Sequence, residues 1–346
     1  MTSALPRALG VAPGRAVIRS QPQDFQVAEQ LGFELSGEGE HVFLYLQKCQ
    51  LNSLELVRRL SEVSGVAERD IGYCGLKDRN AVTRQWFSVG MAGAPEPDWV
   101  SLERDGHVRV LDVARHSRKL RRGVHKANRF RLVLRQLQGQ RVELEQRLQQ
   151  LRSCGAPNYF GEQRFGRNGA TLEQALRWMH SGRRVTRNKR SLFYSALRAS
   201  VFNQLLAARV EAGSWNRVQP GDICMLAGSR SFFHSAAVDE TIERRAQQGD
   251  LHPGLPLWGR FEPGAGPLEC PSECREICDF LEQSGVDLSW RATRLLPDDF
   301  CWQFCDDGTL QLEFALGAGA YATALLAEFV QYKEGTTESG ISSEQG

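Results

Sequence analysis

Apolar and polar positions alternate with a period of two in several stretches of this chain, and these stretches predict strands. In "RFRLVLRQL", Phe130, Leu132 and Leu134 fall on one side, and Arg131, Val133 and Arg135 on the other. "HVFLYLQK" and "HVRVLDVARH" are further strand candidates, and "RAVIRSQPQDFQVAEQ" reads as short strands around a turn at Gln21-Pro22. The period lengthens in "NSLELVRRLSEVSG". There Leu54, Val57 and Leu60 share a helical face, Asn52 caps with Glu55 three residues on, and Gly65 ends the helix. "VELEQRLQQLRSCG" predicts a second amphipathic helix closed by Gly155. Residues 170–212 are mostly helical, with Leu192, Ala196, Ser200 and Leu205 at roughly helical intervals. A strand-like "GDICMLAG" and a Gly/Pro-rich stretch with turn signals, "LHPGLPLWGRFEPGAGPLECP", come next. The chain then returns to hairpin strands in "CWQFCDDGTLQLEFALGAGAYATALLAEFV", followed by a helix from about Ala322.

The order of these elements predicts an α+β protein: a mixed body built from both ends of the chain, with a helix-richer insertion at 156–298. A length of 346 residues agrees with two domains. No internal repeat is evident. The small polar tail, 337–346, is expected to be flexible.

Composition is ordinary for a globular protein, 41% hydrophobic and 24% charged, without an apolar run long enough to span a bilayer. The start, "MTSALPRALGVAPGRAV", lacks the apolar middle of a secretory signal, and the nine cysteines then read as reduced thiols. A cytoplasmic protein, monomeric by default and without a membrane partner, is the expectation.

Net charge is only +2, but its distribution is uneven. "ARHSRKLRRGVHKANRFRL" carries Arg118, Lys119, Arg121, Arg122 and Lys126 among its cations and no acid. Such a run is either a solvated face or a grip on phosphates, which reward clustered cations through counterion release. "PNYFGEQRFGRNG" mixes aromatics and glycines with Arg164 and Arg167, a composition suited equally to base stacking and to a tight packed corner. Cys270, Cys274 and Cys278 follow a spacing of four, which matches one helical face better than a zinc knuckle, and buried small hydrophobes are the expectation. No HExxH pair, Walker loop, dinucleotide-binding glycine motif or GxSxG elbow occurs, so neither metal nor cofactor is expected.

One further stretch, "GYCGLKDRNAVTRQWFSV", sets Asp78 between Lys77 and Arg79 after a glycine. By residue type this is a solvated turn or a reactive carboxylate kept ionised by nearby cations.

The segments "GLKDRNAVTRQ", "PNYFGEQRFG", "NKRSLFYSALRASVFNQ" and "GAGAYATALLAE", in that order, resemble the TruD family of tRNA pseudouridine synthases, as does the opening "QPQDFQVAEQLGFELSGEGEH". The resemblance runs over nearly the whole chain. It implies a catalytic domain of pseudouridine-synthase type on a mixed, largely antiparallel sheet (1–155 and 299–336), and a TruD insertion domain (156–298). It also implies tRNA as partner, uridine 13 in the D-arm region as target, and no cofactor. Asp78 matches the catalytic aspartate, and its chemistry requires the anion, either adding to C1′ or removing a C2′ proton. Arg19 matches a basic residue suited to stabilise that anion, with Lys77 as the alternative. Phe25, Asn128 and Phe130 match positions that contact the target nucleotide. Phe130 replaces the tyrosine of other pseudouridine synthases, so it can stack but cannot relay a proton. Tyr321 stands where many relatives carry phenylalanine. The basic run and Arg164 and Arg167 are the implied backbone grips. A catalytically silent RNA-binding protein and an RNA methyltransferase are the rival classes, the second lacking a nucleotide-binding glycine loop.

Overall fold

The computed structural model describes residues 5–261 and 268–335, so the tail 337–346 lies outside the described residues. From the N-terminus come β1 (Gly14–Ile18), β2 (Phe25–Leu31) and β3 (His41–Lys48), helix α1 (Ser53–Ser64), then β4 (Ile71–Tyr73), β5 (Val82–Gly90), β6 (Val108–His116) and β7 (His125–Gln138). Helix α2 (Arg141–Cys154), β8 (Ala156–Pro157), α3 (Ala170–Ser181) and α4 (Arg187–Glu211) follow. Next are β9 (Ile223–Leu226), β10 (Phe232–His234), α5 (Glu240–Gln247), β11 (Leu251–Leu257) and α6 (Arg275–Gln283). The chain closes with β12 (Ser289–Ala292), β13 (Arg294–Leu295), β14 (Asp298–Phe304), β15 (Leu310–Gly317), α7 (Ala322–Ala327) and β16 (Val330–Glu334). Two compact units result. The first holds Gly14–Arg141, Pro297–Gly319 and the segment from Val330; the second holds the segment up to Pro13, Val142–Leu296 and Ala320–Phe329.

The first unit is a ten-stranded mixed sheet with the main order β14-β15-β7-β2-β5-β3-β6. Its pairs are antiparallel except β1 with β16 and β2 with β5. The alternation read in β7 is realised: Phe130, Leu132 and Leu134 are buried, and Arg131 is exposed. Strand β3 lays Leu44 opposite Phe87, Leu46 opposite Gln85 and Lys48 opposite Thr83 of β5. Its apolar face joins Leu56, Val57 and Leu60 of α1 in one core. The cap is as expected, with the Asn52 side chain accepting from the Glu55 N–H at 2.8 Å and Gly65 left-handed at φ 72°. The face is not: Leu54 is 54% exposed, and Ser53 takes the inward position ahead of Leu56. Ser53 is drawn inward because its hydroxyl serves buried polar partners, described below.

In the second unit a four-stranded sheet runs β10-β9-β11-β12. The Gly/Pro-rich stretch supplies β11, a central strand. This is tolerated because Pro253 pairs in register only with Cys224 of β9, and Pro256 only with Trp290 of β12. Each proline sits where one of its two ladders has ended. Helix α4 buries Phe193, Leu197, Val201 and Phe202 while Leu192 stays exposed, so the stripe is turned relative to the expected Leu192–Leu205 line. Apolar residues surround most of α4, and the bulky rings decide which face packs. Cys270, Cys274 and Cys278 are buried with Trp258 and Phe193 in one apolar cluster. Only Cys278 lies within α6; Cys274 caps it and Cys270 precedes it.

Candidate active site

Asp78 sits on the segment between β4 and β5, and that segment is pinned from several elements at once. The Gly75 carbonyl accepts from the Gln85 amide of β5, and the Lys77 N–H donates to Ser53 Oγ of α1 at 3.0 Å. Ser53 Oγ in turn bonds Gln85 Oε1 at 3.0 Å. The Lys48 ammonium, at the end of β3, donates to the carbonyls of Leu51 at 2.7 Å, Asp78 at 2.8 Å and Lys77 at 3.3 Å. With its main chain held, the segment leaves the Asp78 carboxylate 41% exposed.

Arg19 meets that carboxylate. Its Nη2 donates to Asp78 Oδ2 at 2.7 Å, and its Nη1 bonds Glu334 of β16. The guanidinium lies 4.1 Å from the centre of the Phe25 ring. Arg19 is buried and its backbone is left-handed, φ 55°, a conformation that costs a non-glycine residue roughly 1 kcal/mol or more. Two ion pairs and a ring contact offset that cost. Gly335, next to Glu334, has no room for a Cβ, which would lie 2.5 Å from the Ser20 main chain. The parallel β1–β16 pairing, with Ile18 opposite Glu334, is what brings these distant segments together.

Phe25 meets Phe130 edge-on at 6.2 Å, and Phe130 stacks on Phe314 of β15 at 5.3 Å. Both Phe25 and Phe130 are nearly buried, so they form a support for Arg19 and present little ring surface of their own. Asn128, half-buried two residues before Phe130, contacts His125 Nε2 at 3.2 Å through its amide.

Lys77 turns away from Asp78. Its ammonium is buried against Glu29 at 2.8 Å, and Glu29 also accepts the Trp86 N–H at 3.2 Å. The sequence carried a signal for this acid: Glu29 is in phase with Phe25 and Val27, on the buried side of β2. Lys48 carried the same signal, in phase with Val42, Leu44 and Leu46. Glu29, Cys74 and His125 bring potential metal-ligating atoms within 4.8 Å of one another. However, the Lys77 ammonium already neutralises Glu29 there. Burial, reinforced by Glu29, pushes the Cys74 thiol up to about 12, so it stays protonated and a poor ligand.

The basic run forms the link between β6 and β7 and enters β7. Arg118, Arg121, Arg122 and Lys126 are exposed, and Lys119 is half-buried. Lys119 also donates to the Arg69 carbonyl at 2.5 Å, and Arg122 to the Tyr73 hydroxyl at 2.8 Å. Further along, Arg129 pairs with Asp299 at 3.2 Å and Arg131 with Glu313 at 3.5 Å, so this end of the run is largely neutralised.

Tyr321 and Arg164 belong to the second unit. The Tyr321 hydroxyl accepts from Arg164 Nε at 2.9 Å, while Arg164 Nη1 donates to Ser195 Oγ at 3.0 Å. Gly161 makes this fit possible, since a Cβ there would lie 2.9 Å from the Tyr321 ring. Arg291 stacks over Phe160 at 4.0 Å beside them, and burial lowers its pKa to about 10. The side chain of Arg167 lies outside what is described.

Comparison with known proteins shows the family. The family model described as tRNA pseudouridine synthase D (TruD) matches residues 10–174 and 168–329. The tRNA pseudouridine synthase D of Methylococcus capsulatus is 45% identical over 335 residues, 95% of this chain and 94% of the relative. That of Pseudomonas aeruginosa is 44% identical over 332 residues, 94% of this chain and 93% of the relative. A solved Methanosarcina mazei structure described as a TruD protein shares the fold at a TM-score of 0.65. It is 20% identical and covers 94% of this chain and 95% of its own. A mixed, largely antiparallel ten-stranded sheet, a second unit bearing most of the helices, and matches along nearly the full length lead to one conclusion: the chain belongs to the TruD family of tRNA pseudouridine synthases.

Proposed function

We propose that this protein isomerises uridine to pseudouridine in tRNA, at uridine 13 of the D-arm region, with Asp78 as the catalytic carboxylate. Family membership supports the reaction class, and the resemblance of the motifs supports the target position. The observation that carries the residue assignment is the pairing of Asp78, exposed enough to meet a substrate, with Arg19, buried and fixed. The reaction breaks the N1–C1′ bond, turns the uracil and forms a C5–C1′ bond; C5 loses its proton and N1 takes one up, so the product is an isomer of the substrate. A carboxylate serves it at the ribose, by addition to C1′ or by removal of a C2′ proton, and both require the anion. Arg19 stabilises that anion and fixes its direction, because its own geometry is set by Glu334 and Phe25. No step draws on a cofactor.

A uridine inside folded RNA must leave its stack, and contacts with the protein offset that cost. Asn128 and the edges of Phe25 and Phe130 are the proposed neighbours of the base, and Tyr321 is proposed as a substrate contact from the resemblance of its motif. Arg118, Lys119, Arg121, Arg122 and Lys126, with Arg164 and Arg167, are the proposed contacts to the RNA backbone. All nine cysteines are unpaired, which fits action in the reducing cytoplasm. Among the described residues no helix is long and apolar enough to cross a membrane.

The test is Asp78→Asn. Pseudouridine formation should vanish while tRNA affinity stays within about tenfold, roughly 1.4 kcal/mol. Full activity in that variant overturns the assignment.

A further inference from the structure

Lys48 is the one fully buried lysine among the described residues. Lysine is almost never buried completely unless its charge is compensated. Its three donors meet three acceptors, all main-chain carbonyls: Leu51 at 2.7 Å, Asp78 at 2.8 Å and Lys77 at 3.3 Å. Two of these carbonyls belong to the residues that carry and precede the reacting carboxylate. A structural filler in a strand core would be better served by leucine, as at Leu44 and Leu46 on the same face. What leucine cannot do is gather three converging carbonyls and set a positive charge next to Asp78.

We propose that Lys48 is a positioning residue for the Asp78 carboxylate: its ammonium clamps the Lys77–Asp78 main chain, and its charge acts with Arg19 to keep the carboxylate ionised once RNA excludes water. The inference rests on Asp78 being the catalytic group. The charged and titratable groups facing Lys48 are Asp78, Lys77 and Cys49. Burial, the largest influence, lowers the Lys48 pKa to about 8; Lys77 lowers it too, while Asp78 and Cys49 oppose the change. The ammonium is therefore charged at neutral pH and lost as pH rises through about 8.

The experiment is single-turnover pseudouridine formation on transcribed tRNA as a function of pH, with tRNA binding measured separately, for the wild type, Lys48→Met, Ser53→Ala and Asp78→Asn. The wild-type rate should fall above about pH 8. Lys48→Met should react about 100-fold more slowly, lack that alkaline fall, and bind tRNA within about threefold of wild type. Ser53→Ala, which cuts the side-chain tie to the Lys77 N–H, should lose about tenfold in rate and keep the alkaline fall. A wild-type profile flat to about pH 9.5, or a Lys48→Met rate within about threefold of wild type, overturns the inference. If Lys48→Met does not fold, an unimpaired Ser53→Ala rate overturns it instead. An inactive Asp78→Asn beside either of those results removes only Lys48 from the account. An active Asp78→Asn removes the catalytic reading itself.

Discussion

The Arg19 guanidinium donates to the Asp78 carboxylate at 2.7 Å across 59 residues of sequence. The same guanidinium reaches Glu334, 315 residues away. One planar, permanently charged group thus ties the N-terminal strand, the last strand and the segment bearing the carboxylate. Lysine, a single point charge, cannot occupy both acids in the same way.

From this, Arg19→Ala should lower kcat/KM by about 100-fold, and Arg19→Lys by about tenfold, through loss of a charge-assisted bond to the proposed reacting group. Glu334→Gln, which touches Arg19 only from the outer side, should cost about threefold or less. Steady-state kinetics on tRNA decide it. Wild-type activity in Arg19→Ala would remove Arg19 from the catalytic account.

The basic run divides into two parts by its partners. Replacing Arg118, Lys119 and Arg121 together by alanine should weaken tRNA binding and make the slope of log K against log salt shallower by about two units. Replacing Arg129 and Arg131, already paired with Asp299 and Glu313, should move that slope by less than about one unit. Filter binding across a salt series measures both. Equal slopes for the first variant and the wild type would take that link off the RNA.

The Tyr321 hydroxyl is engaged by Arg164. Tyr321→Phe should therefore destabilise the protein by about 1 kcal/mol, since a bond to a charged donor is lost, and leave kcat within about threefold. Denaturant unfolding and kinetics on the same preparation check this. A large fall in kcat at unchanged stability would assign the hydroxyl to the base instead.

His252, in β11, is buried and accepts from Arg294 Nε at 3.1 Å. Burial first, then the Arg294 charge, pulls its pKa from 6.5 to about 4. Native His252 is thus neutral where the unfolded chain would take a proton. Its contribution is full above pH 6.5, is lost as pH falls from 6.5 to about 4, and changes no further below that. Between pH 7 and pH 5 this amounts to about 2 kcal/mol. His252→Gln should flatten the acid limb of stability measured by urea unfolding. An identical limb in both proteins would contradict it.

Much of the fold was legible in local pattern. The cap at Asn52, the alternation of β7 and the helix start at Ala322 all follow from periodicity and turn chemistry. Where local pattern misled, long-range packing had decided. Leu54 yields its inward place to Ser53, and β11 forms through two prolines because neighbouring ladders end beside each of them.

The linear chain by itself determined most of the strands and helices, though not β11, because side-chain periodicity is a property of neighbouring residues. Through its ordered motifs it also pointed to the family and singled out Asp78. Only the tertiary structure decided which charges meet. Nothing in the spacing of Arg19, Asp78 and Glu334 announces their contact, and nothing near Lys77 announces that its partner is Glu29. Those pairings arise from strand order and register, which bring together groups far apart along the chain, and from burial, which leaves a charged group stable only where a partner reaches it.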